Sequence, residues 1–262
     1  MSGHMQGSVA IVTGSGRGIG RAIAKAYAAE GAHVVLASRT QATVQVVADE
    51  IVAAGGSALA VPCDVSRRAD IDAAVDRAVD AFGTVHVLVN NAQGFGTADA
   101  PAASTVYTAV EDVDTAFVEY SFRTGALASL WGMQAVFPHM KAQGWGKIIN
   151  FSSTSGLLGT TGNTPYNMNK EAVRALTRTA ANEWGQYGIN VNIISPTLRT
   201  DAFEAWEVDR PEFVQKLREG LPMRRLGTPE RDAGPLAIFL ATTASDYMTG
   251  QTFMLNGGKV ML

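Results

Sequence analysis

The sequence predicts a single-domain α/β protein: a doubly wound parallel sheet of seven strands, with helices on both faces. Three observations carry this. Short β-branched runs alternate with longer helical patterns along the whole chain. The short runs are almost continuously apolar, as strands covered by helices on both faces are, rather than alternating apolar and polar. Glycines stand where the helical patterns stop.

The strand runs are Ser8 to Thr13, His33 to Ser38, Ala58 to Pro62, Val85 to Val89, Lys147 to Phe151, Ile189 to Ile194 and Thr252 to Leu255. Helical periodicity covers Ile19 to Glu30, Gln41 to Ala54, Arg67 to Phe82, Ala126 to Gln143, Pro165 to Tyr187 and Pro229 to Thr242, with stops at Gly31, Gly55, Gly83, Gly144 and Gly188. No linker or repeat divides the chain, so residues 7–262 read as one domain, preceded by a short tail at 1–6 that is either an expression remnant or frayed. Two stretches escape the alternation, Gly94 to Gly125 and Thr197 to Thr228. Both follow the C-terminal ends of strands, where open α/β sheets bind ligands, so both are substrate-loop candidates.

Composition excludes several classes. With 47% hydrophobic and 17% charged residues the chain has the apolar content of a folded domain. A net charge of -3 without like-charged runs lacks the basic footprint that nucleic acid or anionic membranes require, so neither is an expected partner. The four histidines are scattered with no second ligand at metal-site spacing, and no metal is expected. Cys63 is the only cysteine and reads as a buried structural thiol, which fits a reducing cytoplasm.

Between the first strand and first helix lies Thr13-Gly14-Ser15-Gly16-Arg17-Gly18-Ile19-Gly20. Glycines there allow a tight turn, let backbone N–H groups approach a pyrophosphate, and bring helix and strand close, with the helix N-terminus facing the anion. The pattern is G-x-x-x-G-x-G through Gly14, Gly18 and Gly20. The second strand ends Ala37-Ser38-Arg39-Thr40, without the acid that would accept from a free ribose 2'-hydroxyl. Arg39, assisted by Arg17, can instead pair with a 2'-phosphate, which points to NADP(H) with NAD(H) as the alternative. The competing reading is that Arg39 is a solvated charge.

Tyr166 and Lys170 are four apart, hence on one face of a helix. A free tyrosine titrates near ~10, and lowering that by ~3 units requires roughly 4 kcal/mol of preferential phenolate stabilisation. A lysine ammonium and an oxidised nicotinamide are positive charges of the kind that supply it. Ser153, where the fifth strand ends, offers a hydroxyl that can hold a substrate oxygen opposite the phenol.

Taken together these motifs resemble the short-chain dehydrogenase/reductase family, a Rossmann-fold family, over residues 7 to 258. The carrying residues are the glycine turn at 13 to 20, Cys63-Asp64-Val65, Asn90-Asn91-Ala92, Ser153 with Tyr166 and Lys170, Ser195-Pro196 with Thr200, and Thr249-Gly250-Gln251 through Asn256-Gly257-Gly258. The resemblance implies hydride transfer between a nicotinamide and an alcohol or ketone carbon. It makes Tyr166 the general acid/base, Ser153 the group orienting the reacting oxygen, and Lys170 the partner of the nicotinamide ribose. Asp64 would accept from the adenine amino group, Asn91 and Ala92 would line the ribose side, and Thr200 would meet the carboxamide or pyrophosphate. A homodimer or homotetramer acting on a small ketone or alcohol is implied. The alternatives are an NAD(H)-dependent alcohol dehydrogenase of the same family and a non-catalytic dinucleotide sensor.

The chain also departs from the family pattern. Gln93 follows Asn-Asn-Ala and Thr197 follows Pro196, each in place of the usual glycine. The family's relay asparagine, on the helix before the fifth strand, falls at Gly125, and no asparagine occurs from Ala92 to Ile149. Either an insertion shifts the register or the relay takes another route, with Ser121, Thr124 or Ser129 as weak substitutes. In the second loop Phe203, Trp206, Phe213, Leu217, Leu221 and Met223 either line a pocket for a hydrophobic ketone or pack the loop onto the body. Glu204, Glu207, Asp209 and Glu212 keep its outer side acidic.

Overall fold

The computed structural model describes residues 3–199, 203, 207 and 211–261. Its main sheet has seven parallel strands: β1 (Val9–Thr13), β2 (His33–Ser38), β3 (Ser57–Pro62), β4 (Val87–Asn90), β7 (Gly146–Phe151), β8 (Ile189–Pro196) and β9 (Thr252–Leu255), in the order β3-β2-β1-β4-β7-β8-β9. All seven expected strands are present, with ends shifted by at most two residues. The order runs outward in opposite directions from β1 and β4, so the connections from these two strands leave to opposite faces and open a crevice at their C-terminal ends.

Alternate strand residues feed two cores, as the two-residue side-chain period requires. Val12, Leu36, Val89 and Ile149 pack beneath α1 (Gly18–Ala29) and α2 (Gln41–Ala53). Ile11, Val35, Leu88 and Ile148 pack against α3 (Arg68–Phe82) and α5 (Ala128–Gln143) on the opposite face, where α7 (Thr164–Trp184) adds Ala180 and Ala181. The five glycine stops all have the positive φ that closes a turn after a helix (Gly31 89°, Gly55 85°, Gly83 87°, Gly144 69°, Gly188 71°).

Three differences from the sequence reading have physical causes. Residues 3–6 are not a frayed tail: Met5 is buried and its N–H donates to the Glu30 carbonyl at 3.0 Å. The first long loop holds a two-stranded antiparallel hairpin, β5 (Phe95–Gly96) with β6 (Pro101–Ala102), followed by α4 (Thr115–Phe122), which Asp114 caps by accepting from the Ala116 N–H at 2.9 Å. A π turn (Arg123–Leu127) joins α4 to α5, and Gly125 within it interrupts the periodicity that would have betrayed one long helix. The second loop contains α8 (Pro211–Glu219), and Phe203, Val214, Leu221 and Leu226 bury one another with Leu217 beside them, while Met223 stays exposed. Phe203, Leu217 and Leu221 therefore follow the packing alternative. Trp206 lies outside the described residues, with Thr200, Glu204, Asp209 and the Phe213 side chain.

Candidate functional site

The glycine turn hangs between the ends of β1 and β4. Gly14 (φ 67°) and Gly18 (φ 53°) adopt backbone angles that L side chains rarely take. At Gly20 a Cβ would lie 2.4 Å from the Gly14 carbonyl oxygen and 2.6 Å from Asn91 Nδ2, so only glycine lets α1 approach this closely. Thr13 Oγ1 accepts the N–H groups of Asn91 and Ala92, both at 3.1 Å, and stitches β1 to β4. Asn91 Nδ2 donates to the carbonyls of Thr13 (3.0 Å) and Gly14 (3.3 Å). The Asn91 side chain thus braces the turn from beneath, a role beyond the ribose-side lining that the resemblance implies.

Above the turn opens a cleft of about 530 Å³. Gly14, Arg17, Gly18, Ile19, Ser38, Arg39, Asp64, Val65, Asn91 and Ala92, all expected at a cofactor, line it, as do Gln93 and Tyr120. Ser15 does not; its side chain is fully buried, with no partner for Oγ. Pro196, at the end of β8, pairs with Leu255 and stands outside the cleft lining. The N-cap residue of α1, Arg17, makes no side-chain cap, so the first-turn N–H groups of a twelve-residue helix remain available to an anion. Glycine backbone, uncapped helix end and flanking arginines fit a dinucleotide phosphate chain. Arg39 is exposed at the rim and reaches across to the Tyr120 hydroxyl at 3.3 Å.

Beyond the cleft, β7 ends at Phe151 and α7 crosses over it. Ser153 caps the short helix α6 (Thr154–Leu158), with Oγ accepting from the Ser155 N–H at 3.1 Å, and is hydrogen-bonded to Tyr166. The buried Lys170 ammonium donates to the Phe151 carbonyl at 3.1 Å and lies 5.3 Å from the Tyr166 ring centroid. Ser153, Tyr166 and Lys170 are thereby brought together. Arg174, one turn further along α7 and not singled out in the sequence, is buried; it donates to Ser152 Oγ (2.9 Å), to the Ser153 carbonyl (3.4 Å) and to Thr252 Oγ1 (2.9 Å). Only its spacing from Tyr166 and Lys170 on one helix face would have suggested it.

Electrostatically the protein alone does not lower the phenol. Burial pushes Tyr166 above its ordinary value, and the hydrogen bond with Ser153 offsets part of that rise. Burial also pushes Lys170 down to about 8. Cys63, free and buried, is pushed up to about 12 by burial and by Asp70 and Asp64. Among the described residues no three His, Cys, Asp or Glu side chains group as metal ligands, and no helix is long and apolar enough to cross a membrane.

A second, smaller cavity adjoins Tyr166, walled by Phe95, Val106, Val113, Phe117 and Pro165, with Asn163 and Ser121 as polar members. Phe95 lines both spaces and packs its ring 5.7 Å from that of Tyr166. Of the weak relay substitutes, Ser121 Oγ donates to the Pro165 carbonyl (3.1 Å), Thr124 Oγ1 to that of Tyr120 (2.8 Å), and Ser129 is buried on α5. The first two hydroxyls are committed to main chain. Gln93 lines the cleft, with its side-chain amide engaged by Gly94, Thr124 and Asn169.

The family model described as enoyl-(acyl carrier protein) reductase matches residues 14–259. The 12alpha-hydroxysteroid dehydrogenase of a Clostridium species is 35% identical, covering 98% of each chain. The 3-alpha-(or 20-beta)-hydroxysteroid dehydrogenase of Mycobacterium bovis is 38% identical over 99% of this chain and 92% of its own. The crystal structure of a 3-oxoacyl (acyl-carrier-protein) reductase from Agrobacterium tumefaciens, with NADP bound, superposes with a TM-score of 0.87 at 28% identity, covering 97% of this chain and 95% of that one. With these matches spanning nearly its whole length, the chain belongs to the short-chain dehydrogenase/reductase family, oxidoreductases acting on CH–OH groups.

Proposed function

We propose that the chain is an NADP(H)-dependent oxidoreductase interconverting a ketone and a secondary alcohol, with Tyr166 as general acid/base. The observation that carries this is the convergence of Ser153, Tyr166 and Lys170 beside a cleft fit for a dinucleotide. When bound, the reduced cofactor supplies a hydride to the carbonyl carbon. Tyr166 gives its phenolic proton to the carbonyl oxygen, so hydride and proton together complete the alcohol, and Ser153 Oγ donates a hydrogen bond that holds the same oxygen. Lys170, anchored on the Phe151 carbonyl, keeps its positive charge beside the phenol and meets the nicotinamide ribose. Asp64 serves the adenine end, and the first-turn N–H groups of α1, with Arg17, hold the phosphates.

NADP(H) is favoured over NAD(H) because Ser38 stands where a carboxylate would be needed and Arg39 flanks the same end of the cleft. The apolar walls around Tyr166 and the hydroxysteroid relatives support a hydrophobic ketone or secondary alcohol as substrate. A free, buried Cys63 suits a cytoplasmic setting, and the half-buried aromatic residues of α5 and α7 suit a homo-oligomer. The test is NADPH consumption with a panel comprising a steroid ketone, a sugar-derived ketone and a 3-oxoacyl thioester. Turnover of the steroid ketone above the other two is expected. Absence of turnover with all three in either direction would return the chain to the non-catalytic sensor reading.

A further inference from the structure

Two departures from the family pattern, Gln93 and Gly125, lie far apart in sequence but meet at one buried side chain, Asn169. Gly125 is buried in the π turn, and a Cβ there would stand 2.2 Å from Asn169 Nδ2 and 2.4 Å from its Oδ1. The space a side chain at 125 would occupy is filled by an amide arriving from α7. Asn169 is fully buried; its Oδ1 accepts the Ala126 N–H at 2.7 Å, and its Nδ2 donates to Gln93 Oε1 at 2.7 Å. The senses of both amides are determined. The Ala126 N–H can only donate, which assigns Asn169 Oδ1, and Gln93 Nε2 is already spent on the Gly94 carbonyl at 2.7 Å and on Thr124 Oγ1 at 3.3 Å. One residue before Lys170 and three after Tyr166, Asn169 therefore ties the helix carrying both to the π turn and to a residue of the cofactor cleft.

We propose that Asn169 is a positioning residue for the reaction: with Gln93 it delivers from α7 the buried amide that the family pattern places at position 125, and so holds Tyr166 and Lys170 in register with the cleft. This rests on the oxidoreductase reading above. A fully buried Asn169 amide with both polar atoms engaged, one of them by the half-buried Gln93, favours one relative position of the packed elements, because a shift leaves a desolvated donor or acceptor without a partner.

The experiment is an exchange of the two positions, read by steady-state kinetics with NADPH and an accepted ketone and by urea unfolding. Asn169→Ala is expected to lower kcat by about a hundredfold, the cost of an ångström-scale misplacement. The NADPH dissociation constant should stay within about threefold of the parent, since no cofactor contact is removed. Gly125→Asn alone forces a second amide into the same space and should lower the urea midpoint. The double variant Gly125→Asn/Asn169→Ala should recover kcat to within about tenfold of the parent, the non-additivity expected of residues in contact. A merely structural Asn169 would lose stability without that kcat-selective loss and rescue. If Asn169→Ala does not fold, Gln93→Met removes the acceptor of Asn169 Nδ2 together with the Gln93 Nε2 bonds to Gly94 and Thr124, leaves the Ala126 bond to Asn169 Oδ1 in place, and should show the same loss of kcat in smaller degree. Parent-like kcat in whichever of these single variants folds, or a double variant no faster than Asn169→Ala, overturns the proposal. Should the parent itself turn nothing over, the oxidoreductase reading fails instead. The amide exchange is then judged on unfolding alone: Gly125→Asn must be less destabilising in the Asn169→Ala background than in the parent, and equal losses overturn it.

Discussion

The Lys170 ammonium stands 5.3 Å from the centroid of the Tyr166 ring, one turn along the same helix, and is held there by the Phe151 carbonyl at 3.1 Å. Burial pushes this lysine down to about 8, against about 10.4 in an unfolded chain. The folded state therefore binds fewer protons than the unfolded state between these values, and stability from this group rises with pH across that window. Below about 8 both states are charged and the full desolvation cost is present. Lys170→Met should accordingly be the more stable protein at neutral pH, by up to about 3 kcal/mol. The advantage should shrink from pH 8 and vanish near 10.5, while turnover is lost throughout. Urea unfolding across that range checks the sign; a variant less stable than the parent at pH 7 would show that the ammonium's hydrogen bond outweighs its desolvation.

Tyr166→Phe should abolish turnover while leaving NADPH binding within about threefold of the parent, because in the proposed reaction the phenol moves a proton and recognises no part of the cofactor. Fluorescence titration with NADPH alongside kcat separates the two effects. Turnover within tenfold of the parent would reassign the proton donor.

Arg39 reaches over the cleft rim to the Tyr120 hydroxyl at 3.3 Å and is thus poised at the cleft rather than directed only into solvent. A charge-assisted hydrogen bond of about 1.5 kcal/mol at so exposed a position corresponds to roughly tenfold in kcat/KM for NADPH over NADH. Arg39→Ser should remove most of that margin, Ser38→Asp should invert it, and added salt should shrink it. Steady-state kinetics with both reduced cofactors decides, and a parent that favours NADH would make Arg39 a solvated charge.

On α5 and α7 the Phe137 and Trp184 rings lie 4.6 Å apart, and Trp131 and Leu176 on the same two helices are likewise only partly buried against the same core. A second copy covering this face would complete their burial. Light scattering at micromolar concentration should show a dimer or tetramer, and Trp131→Glu should dissociate it; a monomeric parent would contradict this.

The order of strands and helices was legible in the sequence because burial on both faces imposes near-continuous apolar runs, and because helices that end on a left-handed residue select glycine there, as at Gly31 and Gly188. The Tyr166–Lys170 pair was legible for the same reason: four residues on a helix determine a shared face without knowledge of anything else. What Arg174, Asn169 and Gly125 do was not, since each depends on contacts between elements distant in sequence. Gly125 read alone is a missing side chain, and Asn169 read alone is a polar residue before a lysine. Only the packing of α7 against the π turn joins them, placing the Asn169 amide where a Cβ of residue 125 would fall. The second loop shows the same division: its apolar residues announced burial, but whether they faced a ligand or one another was decided by the tertiary fold, in which Phe203, Val214, Leu221 and Leu226 close on themselves. Periodicity reports that a side chain leaves water, and only three-dimensional packing determines what it meets.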